Sequence, residues 1–207
     1  MAQPRFSLAL RLYAIIGLSF CGLAGLAATQ SQNLATALQE QRQSELAHLT
    51  QTALSIAREE YDAIARDKVA PDVAQKKAAE RIGKLRYGSG DYFWINDMGP
   101  KMVMHPVKPE LNGQNLADNK DPNGKRLFME MVDVVKRQGA GVVDYMWPKP
   151  GKDAPQPKLS YVAGFEPWGW IIGTGVYVDD LEAQMWESKR GVFIAAMLVM
   201  LIIGSIT

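Results

Sequence analysis

Hydrophobic residues are concentrated in two uncharged runs near the ends of the chain, with a mixed polar and apolar block between them. The runs are residues 12–28 and 191–207. A helix needs roughly 20 apolar residues to cross the hydrocarbon core of a bilayer. The pattern therefore predicts a cytoplasmic N-terminus over residues 1–11, a transmembrane helix in each run, and a water-facing domain over residues 29–190. The chain is expected to end within or just after the second span.

The first apolar run also fits a cleaved signal peptide. Arg5 and Arg11 form a basic start, and residues 25–27 (Gly-Leu-Ala) resemble a small-residue cleavage site. An uncleaved span is favoured because apolar residues continue beyond the run at helical spacing without a turn residue. The two arginines then place the N-terminus in the cytoplasm by the positive-inside rule.

The beginning of the water-facing block has the pattern of one long amphipathic helix. Residues 30–68 contain no Gly and no Pro. Leu46, Leu49, Ala53 and Ile56 recur at the three- and four-residue spacing of a helix packing seam. Such a seam packs on its own domain, or it also packs on a second copy near the membrane. We expect the second arrangement, a homodimer.

The rest of the block alternates between helical and strand patterns. A second helix is predicted from Pro71 to about Arg86, a third over about residues 125–138, and a last one after Asp179 that runs into the second span. Strands are predicted at residues 91–96, 101–105, 142–147, 158–165 and 170–178. Turn residues separate neighbouring strands, so the sheet is expected to be antiparallel with the long helix on one face, an α+β domain.

Charge and cysteine content exclude several classes of function. The 23 basic and 22 acidic side chains give a net charge of +1, so the composition shows no footprint for nucleic acid. The single cysteine, Cys21, lies in the first apolar run, which excludes a disulfide scaffold and a cysteine-ligated zinc site in the domain. The sequence has no nucleophile elbow, phosphate loop or cluster of metal-binding side chains. We therefore expect no cofactor, no metal and no enzymatic activity.

Two predicted strands carry side chains suited to a ligand pocket. Tyr92 and Trp94 alternate onto the same face of their strand, and each has a polar group that suits a pocket wall. His105 ends the next strand and can donate one N–H when neutral. The alternatives are that the aromatic residues are simply core and that His105 is structural.

Two later strands complete the candidate set. Lys158 opens a strand after a proline-rich loop, where it can anchor a carboxylate, and Tyr161 follows three residues on. Tyr145 lies in the preceding strand and can donate its hydroxyl. A small acid needs a few charge-assisted hydrogen bonds inside an aromatic pocket, which these residues can supply. The alternatives are a solvated edge charge at Lys158 and ordinary sheet packing at Tyr145.

Five short motifs follow one another along the domain. They are DYFWIND (91–97), MVMHP (102–106), PELNGQNL (109–116), KLSYV (158–162) and PWGWIIGTGVYVDD (167–180). In these motifs the chain resembles the single Cache domain of bacterial chemoreceptors and related sensors, over about residues 30–190. The resemblance implies a PAS-like five-stranded antiparallel sheet with a long N-terminal helix. It also implies periplasmic binding of a short-chain carboxylate such as acetate, propionate, pyruvate or lactate, and it strengthens the assignment of His105.

The resemblance also sets the expected cellular role. We expect a multi-pass inner-membrane protein whose periplasmic domain binds a small carboxylate and passes the signal through the second span. HAMP and signalling modules are expected beyond the end of this chain. One alternative is the sensor region of a histidine kinase or diguanylate cyclase. A stand-alone periplasmic binding protein is a further alternative, and the second apolar run argues against it.

Overall fold

A computed structural model describes residues 8–88 and 90–178 and divides the chain into two units, Met1–Ser44 and Glu45–Thr207. No helix among the described residues is both long and apolar enough to cross a membrane. The predicted last helix and the second span lie outside the described residues, and both spans stay predictions.

Three α-helices are described. Helix α1 spans Leu8–Arg66, and α2 spans Pro71–Lys84. Proline suits the first turn of α2 because its missing N–H would have no partner there. Helix α2 ends before the predicted Arg86, since Leu85 adopts an extended conformation. Helix α3 (Leu127–Gln138) stops at Gly139, whose φ of 76° is in the region that glycine adopts without strain.

The described sheet has six antiparallel strands in the order β1-β2-β6-β5-β4, with β3 paired to β2. The strands are β1 (Arg86–Tyr87), β2 (Asp91–Asp97), β3 (Met102–Met104), β4 (Ala140–Pro148), β5 (Pro155–Phe165) and β6 (Trp170–Tyr177). The α+β class and the antiparallel sheet are confirmed, with all five predicted strands present. The two-residue edge strand β1 was not predicted. β4 and β5 are longer than predicted because they stay paired as far as Pro148 and Pro155.

The sheet has two buried faces. The helix-pair face packs on α1 and α2, with a core of Ala53, Ala57, Ala78, Ile82, Phe93, Ile95, Phe165, Trp170 and Ile172. The α3 face packs on α3, and its core includes Tyr92, Trp94, Phe128, Met131, Tyr145, Trp147, Val162 and Ile171. Alternation along each strand sends neighbouring residues to opposite faces, which separates the aromatic residues of β2 into two sets.

The predicted seam of α1 packs on its own domain. Ala53 belongs to the core of the helix-pair face, and Leu49 and Ile56 pack against that core. Glu60, only 2% exposed, joins α1 to α2 through ion pairs with Arg81 and with Lys77 (3.1 Å). The homodimer stays a prediction.

Candidate functional site

The pairing of neighbouring strands brings three polar side chains into one row. Two of them, Lys158 and Tyr145, were predicted from the sequence, and the third, Tyr177, was not. Lys158 on β5 is paired with Tyr145 on β4 and with Tyr177 on β6. Residues directly opposite each other in a sheet project to the same face, so all three side chains lie on the α3 face. Lys158 and Tyr177 are each only 1% exposed. The alternative of a solvated edge charge at Lys158 is therefore wrong.

The Lys158 ammonium is surrounded by aromatic rings. Its Nζ lies 4.1 Å from the ring centre of Tyr92, 4.9 Å from that of Tyr177 and 5.4 Å from that of Trp94. These are cation–π contacts, which attract a cation without neutralising it. Burial lowers the pKa of Lys158 to about 7, and the charge of Asp91 opposes this shift only in part. A carboxylate would supply a full counter-charge.

Two glycines on β6 make room for this arrangement. A Cβ atom at Gly173 would lie 2.3 Å from the Trp94 ring, and one at Gly175 would lie 2.1 Å from Ser160 Oγ. Neither position could carry a larger residue without moving these side chains. Gly173 therefore lets the Trp94 ring lie against the backbone of β6 on the α3 face, and Gly175 leaves room for Ser160 on β5.

The tyrosines of the site are neutral hydrogen-bonding groups. The hydroxyls of Tyr145 and Ser160 are hydrogen-bonded at 3.0 Å. Burial raises the pKa of Tyr145, and it raises the pKa of Tyr92 to about 12. The side chains of Tyr177 and Trp147 partly oppose this rise in the pKa of Tyr92. Both phenols keep their protons at neutral pH and can donate to an anion.

His105 is a buried neutral donor. It is 3% exposed, and its ring centre lies 5.0 Å from that of Tyr92. Its Nδ1 accepts the backbone N–H of Lys108 at 2.9 Å, so the imidazole carries its proton on Nε2. Burial lowers the pKa of His105 to about 3, and the positive charges of Lys158 and Lys108 add to the shift. The imidazole therefore offers a single N–H, as the sequence predicted for the neutral form.

These groups enclose a small inner cavity of about 10 Å³. It is lined by Tyr92, Trp94, His105, Leu127, Phe128, Tyr145 and Trp147. That volume is roughly what one water molecule requires. The lining contains hydroxyl and N–H donors and no carboxylate, and Lys158 contacts two of its rings. The inner cavity therefore suits an anion, and side chains must move before an organic acid fits.

A larger outer groove of about 430 Å³ lies next to the inner cavity, and Trp147 lines both. The groove carries side chains of both signs, including Lys108, Lys120 and Glu110. Asp121 also lines it, but its carboxylate accepts three backbone N–H groups of the surrounding loop and of β4. Because the groove is open and its charges are mixed, we assign the binding site to the inner cavity despite its smaller volume.

Five of the six residues predicted from sequence meet at this site: Tyr92, Trp94, His105, Tyr145 and Lys158. Tyr161 does not join them. It is paired with Thr174 and lies on the helix-pair face. Side chains alternate between faces along a strand, and Tyr161 is separated from Lys158 by an odd number of positions.

Sequence reasoning missed Tyr177, Trp147 and Ser160. Trp147 and Ser160 each lie two residues from a predicted site residue, so strand alternation could have found them. Tyr177 could be found only with the register between β5 and β6. Among the described residues, no group of three or more His, Cys, Asp or Glu side chains could hold a metal ion.

The chain is similar to known sensor proteins in sequence. The family model for single Cache domain 2 matches residues 38–191. The methyl-accepting chemotaxis protein McpP of Pseudomonas putida is 40% identical over 208 residues, covering 97% of this chain and 38% of that protein. The sensor histidine kinase MctS of Rhizobium johnstonii is 33% identical over 150 residues, covering 72% of this chain and 32% of that protein. The chain thus spans less than half the length of these curated relatives.

Two solved structures share both fold and sequence with the chain. One is described as a periplasmic sensor domain of a chemotaxis protein; it is 45% identical, with a TM-score of 0.65, and the match covers 67% of this chain and 96% of that one. The other is described as the structural basis for carboxylic acid recognition by a Cache chemosensory domain. It is 46% identical, with a TM-score of 0.65, and the match covers 71% of this chain and 97% of that one.

Proposed function

The chain belongs to the single Cache domain 2 family of sensor domains, and we propose that it is the ligand-binding region of a bacterial chemoreceptor that recognises a small carboxylate in the periplasm. The observation that carries the proposal is the buried ammonium of Lys158, held among aromatic rings beside a cavity lined with neutral donors. A bound carboxylate would balance the charge of this ammonium.

The chemistry of the site supports a carboxylate over an amine or a neutral ligand. An ammonium contributes a charge-assisted hydrogen bond, which is shorter and stronger than a neutral one. His105 and the tyrosines add neutral donors, and a carboxylate can accept from several of them at once. The aromatic walls exclude water and leave little space for an apolar tail. Short-chain acids such as acetate, propionate, pyruvate and lactate fit these requirements.

The likeness to MctS supports a second candidate role, the sensor region of a histidine kinase. Both roles use the same ligand-binding chemistry, and they differ in the output module. We favour the chemoreceptor because McpP matches 97% of the chain at 40% identity. The sequence of the full-length protein beyond Thr207 distinguishes a methyl-accepting module from a kinase or a cyclase.

Signal transmission is proposed to run along β6. This strand carries Tyr177 and the two glycines of the site, and residues 191–207 follow it as the predicted second span. A ligand that moves the aromatic side chains would pull on β6 and shift that span, with the first span of a homodimer in the inner membrane as reference. Inserting a Gly-Ser linker between Val178 and Leu181 of the full receptor should keep affinity and abolish the response. Normal signalling with the insertion would exclude this route.

Isothermal titration calorimetry with the four acids tests the proposed ligand class. Lys158→Ala and His105→Ala should each weaken binding by at least about 1.5 kcal/mol, the scale of one hydrogen bond to a charged group. Tyr161→Phe is the matched control, since it alters a tyrosine on the helix-pair face and should leave affinity unchanged. Absence of heat for all four acids, with binding of amino acids or amines instead, would contradict the proposal.

A further inference from the structure

Among the residues that the structure describes, Trp147 is the one whose side chain lines both the inner cavity and the outer groove. It is 8% exposed and lies near the end of β4, the outermost strand on its side of the sheet. The other walls of the inner cavity come from the central strand β2, from α3, from the turn at His105 and from the middle of β4. Moving Trp147 alone would therefore connect the two cavities without opening the centre of the sheet.

Three prolines lie in the strand pairing beside Trp147. Trp147 is paired with Gln156, and the adjoining pairs are Met146 with Pro157 and Pro148 with Pro155. Proline has no backbone N–H, so three of the residues in these pairs cannot donate to the ladder. Segments with few backbone hydrogen bonds open locally at low free energy. This end of the β4–β5 hairpin can open while the rest of β4 stays paired, once the Met146 N–H leaves the Asp121 carboxylate and the Pro148 carbonyl leaves the Tyr177 hydroxyl.

Weak contacts hold Trp147 in place on both sides. On the groove side, Lys108 Nζ lies 5.2 Å from the centre of the Trp147 ring. On the cavity side, Phe128 packs edge-on at 5.9 Å, and the ring centre of His105 lies 6.0 Å away. The backbone N–H of Lys108 donates to His105 Nδ1, so the lysine that covers Trp147 is anchored on a residue of the site.

We propose that Trp147 is a gate through which the carboxylate passes from the outer groove into the inner cavity, and that Lys108 is its latch. The inference rests on the proposed function, because it concerns access to the same carboxylate site. The inner cavity has room for about one water molecule, so a side chain must move before any of the four acids can enter. Trp147 is the wall residue that the inner cavity shares with the outer groove, so its displacement joins the two.

Stopped-flow tryptophan fluorescence on the purified chain measures the association and dissociation rates of each acid. Lys108→Ala removes the latch, so both rates should rise by about two- to fivefold, the range of a partly exposed cation–π contact, while the dissociation constant stays within about twofold. Lys120→Ala is the matched control, because Lys120 lines the groove without contacting the Trp147 ring. It should leave dissociation unchanged.

Different experimental results would overturn the gate alone and the proposed function. Binding with association slowed equally in Lys108→Ala and Lys120→Ala would overturn the gate, since both lysines would then only attract the anion. Unchanged rates in Lys108→Ala would overturn it as well. Absence of binding by the wild-type chain would overturn the proposed function and the gate together.

Hydrogen–deuterium exchange of the wild-type chain provides a test that needs no variant. Amides of Tyr145, Trp147 and Gln156 should exchange faster than amides of Gly141 and Val143 at the other end of the same hairpin, because only the proline-containing end opens. Equal protection along β4 would overturn the gate. Phe128 and α3 should stay protected in either case, as they belong to the core of the α3 face.

Discussion

Replacing Lys158 with methionine is predicted to stabilise the protein and to abolish acid binding. Lys158 is 1% exposed, and its ammonium lies among three aromatic rings. Methionine has a similar length, carries no charge, and makes favourable contacts between its sulfur and aromatic rings. The substitution therefore keeps the packing of the α3 face and removes the buried charge that the ligand site requires.

The magnitude follows from the pKa of Lys158, which burial lowers from 10.5 to about 7. One pKa unit corresponds to about 1.4 kcal/mol, so the buried ammonium costs on the order of 5 kcal/mol as an upper limit. Replacing buried charges with apolar side chains of similar volume stabilises proteins by about 1–4 kcal/mol. We expect Lys158→Met to raise the free energy of unfolding by this smaller amount near neutral pH.

The stability difference between Lys158→Met and the wild type should depend on pH. Between pH 7 and 10.5 the unfolded chain binds a proton on Lys158 that the folded chain has released, so wild-type stability rises with pH in this window. The slope contributed by this group is about 1.4 kcal/mol per pH unit. Below pH 7 both states are protonated and the slope vanishes. The advantage of Lys158→Met should therefore be greatest below about pH 7 and shrink above it.

Urea unfolding of both proteins at about pH 6.5, 8 and 9.5 measures this difference, and calorimetry with the four acids measures binding. Lys101→Met is the matched control, because Lys101 is exposed at the turn after β2 and should show no pH-dependent difference. The reasoning is refuted if Lys158→Met is less stable than the wild type near pH 6.5, if its advantage is constant across the pH range, or if it still binds an acid.

Three further predictions concern the site and the contacts that support it. Acid affinity should fall about tenfold between pH 6 and 8, because Lys158 must be protonated to bind an anion and its pKa is about 7; calorimetry showing constant affinity would contradict this. Glu60→Gln should lower the free energy of unfolding by about 1–3 kcal/mol, since it removes the ion pairs to Arg81 and Lys77. Burial alone would raise the pKa of Glu60, but hydrogen bonds from Arg81 and Lys77 lower it overall. The wild type should therefore have the higher free energy of unfolding above about pH 4.5, and this difference from Glu60→Gln should disappear as the pH falls through the lowered pKa. Urea unfolding at several pH values measures the difference, and a constant difference would contradict the prediction. Asp121→Asn should cost about 1.5–3 kcal/mol, because one of the three backbone N–H groups bound by the carboxylate would then face an amide N–H; thermal unfolding without a shift would contradict it.

Much of the fold could be predicted from sequence because the signals are local. Proline at the start of α2 and glycine after α3 act through their own backbone geometry, and the five main strands are bounded by turn residues. The ends of elements were less certain. Strands β4 and β5 extend beyond their β-branched and aromatic residues because pairing between them continues through a proline-rich segment. Propensity alone argues against strand structure there.

The site was predictable only where strand alternation and residue chemistry agree. Tyr92 and Trp94 share a face by alternation, and the structure places both against Lys158. Tyr161 was chosen for its nearness in sequence, but an odd separation along β5 puts it on the opposite face. Tyr177 reaches Lys158 only through the register of two neighbouring strands, which depends on long-range pairing.

The depth of Lys158 in the fold also could not be derived from its sequence position. A lysine at the start of a strand is more often solvated, whereas the rings of Tyr92, Trp94 and Tyr177 surround this one. The role of the two glycines of β6 also depends on packing that the sequence does not show. Each reads locally as a weak point in a strand, yet their missing side chains admit Trp94 and Ser160.

Lys158 is proposed to bind a carboxylate on the α3 face of the sheet. A crystal structure of the chain with the tightest-binding of the four acids tests it most directly. We expect a carboxylate oxygen within about 3 Å of Lys158 Nζ, with the remaining donors supplied by His105 and the neighbouring tyrosines. A carboxylate bound in the outer groove, or beside Tyr161 on the helix-pair face, with Lys158 still covered by aromatic rings, would contradict it.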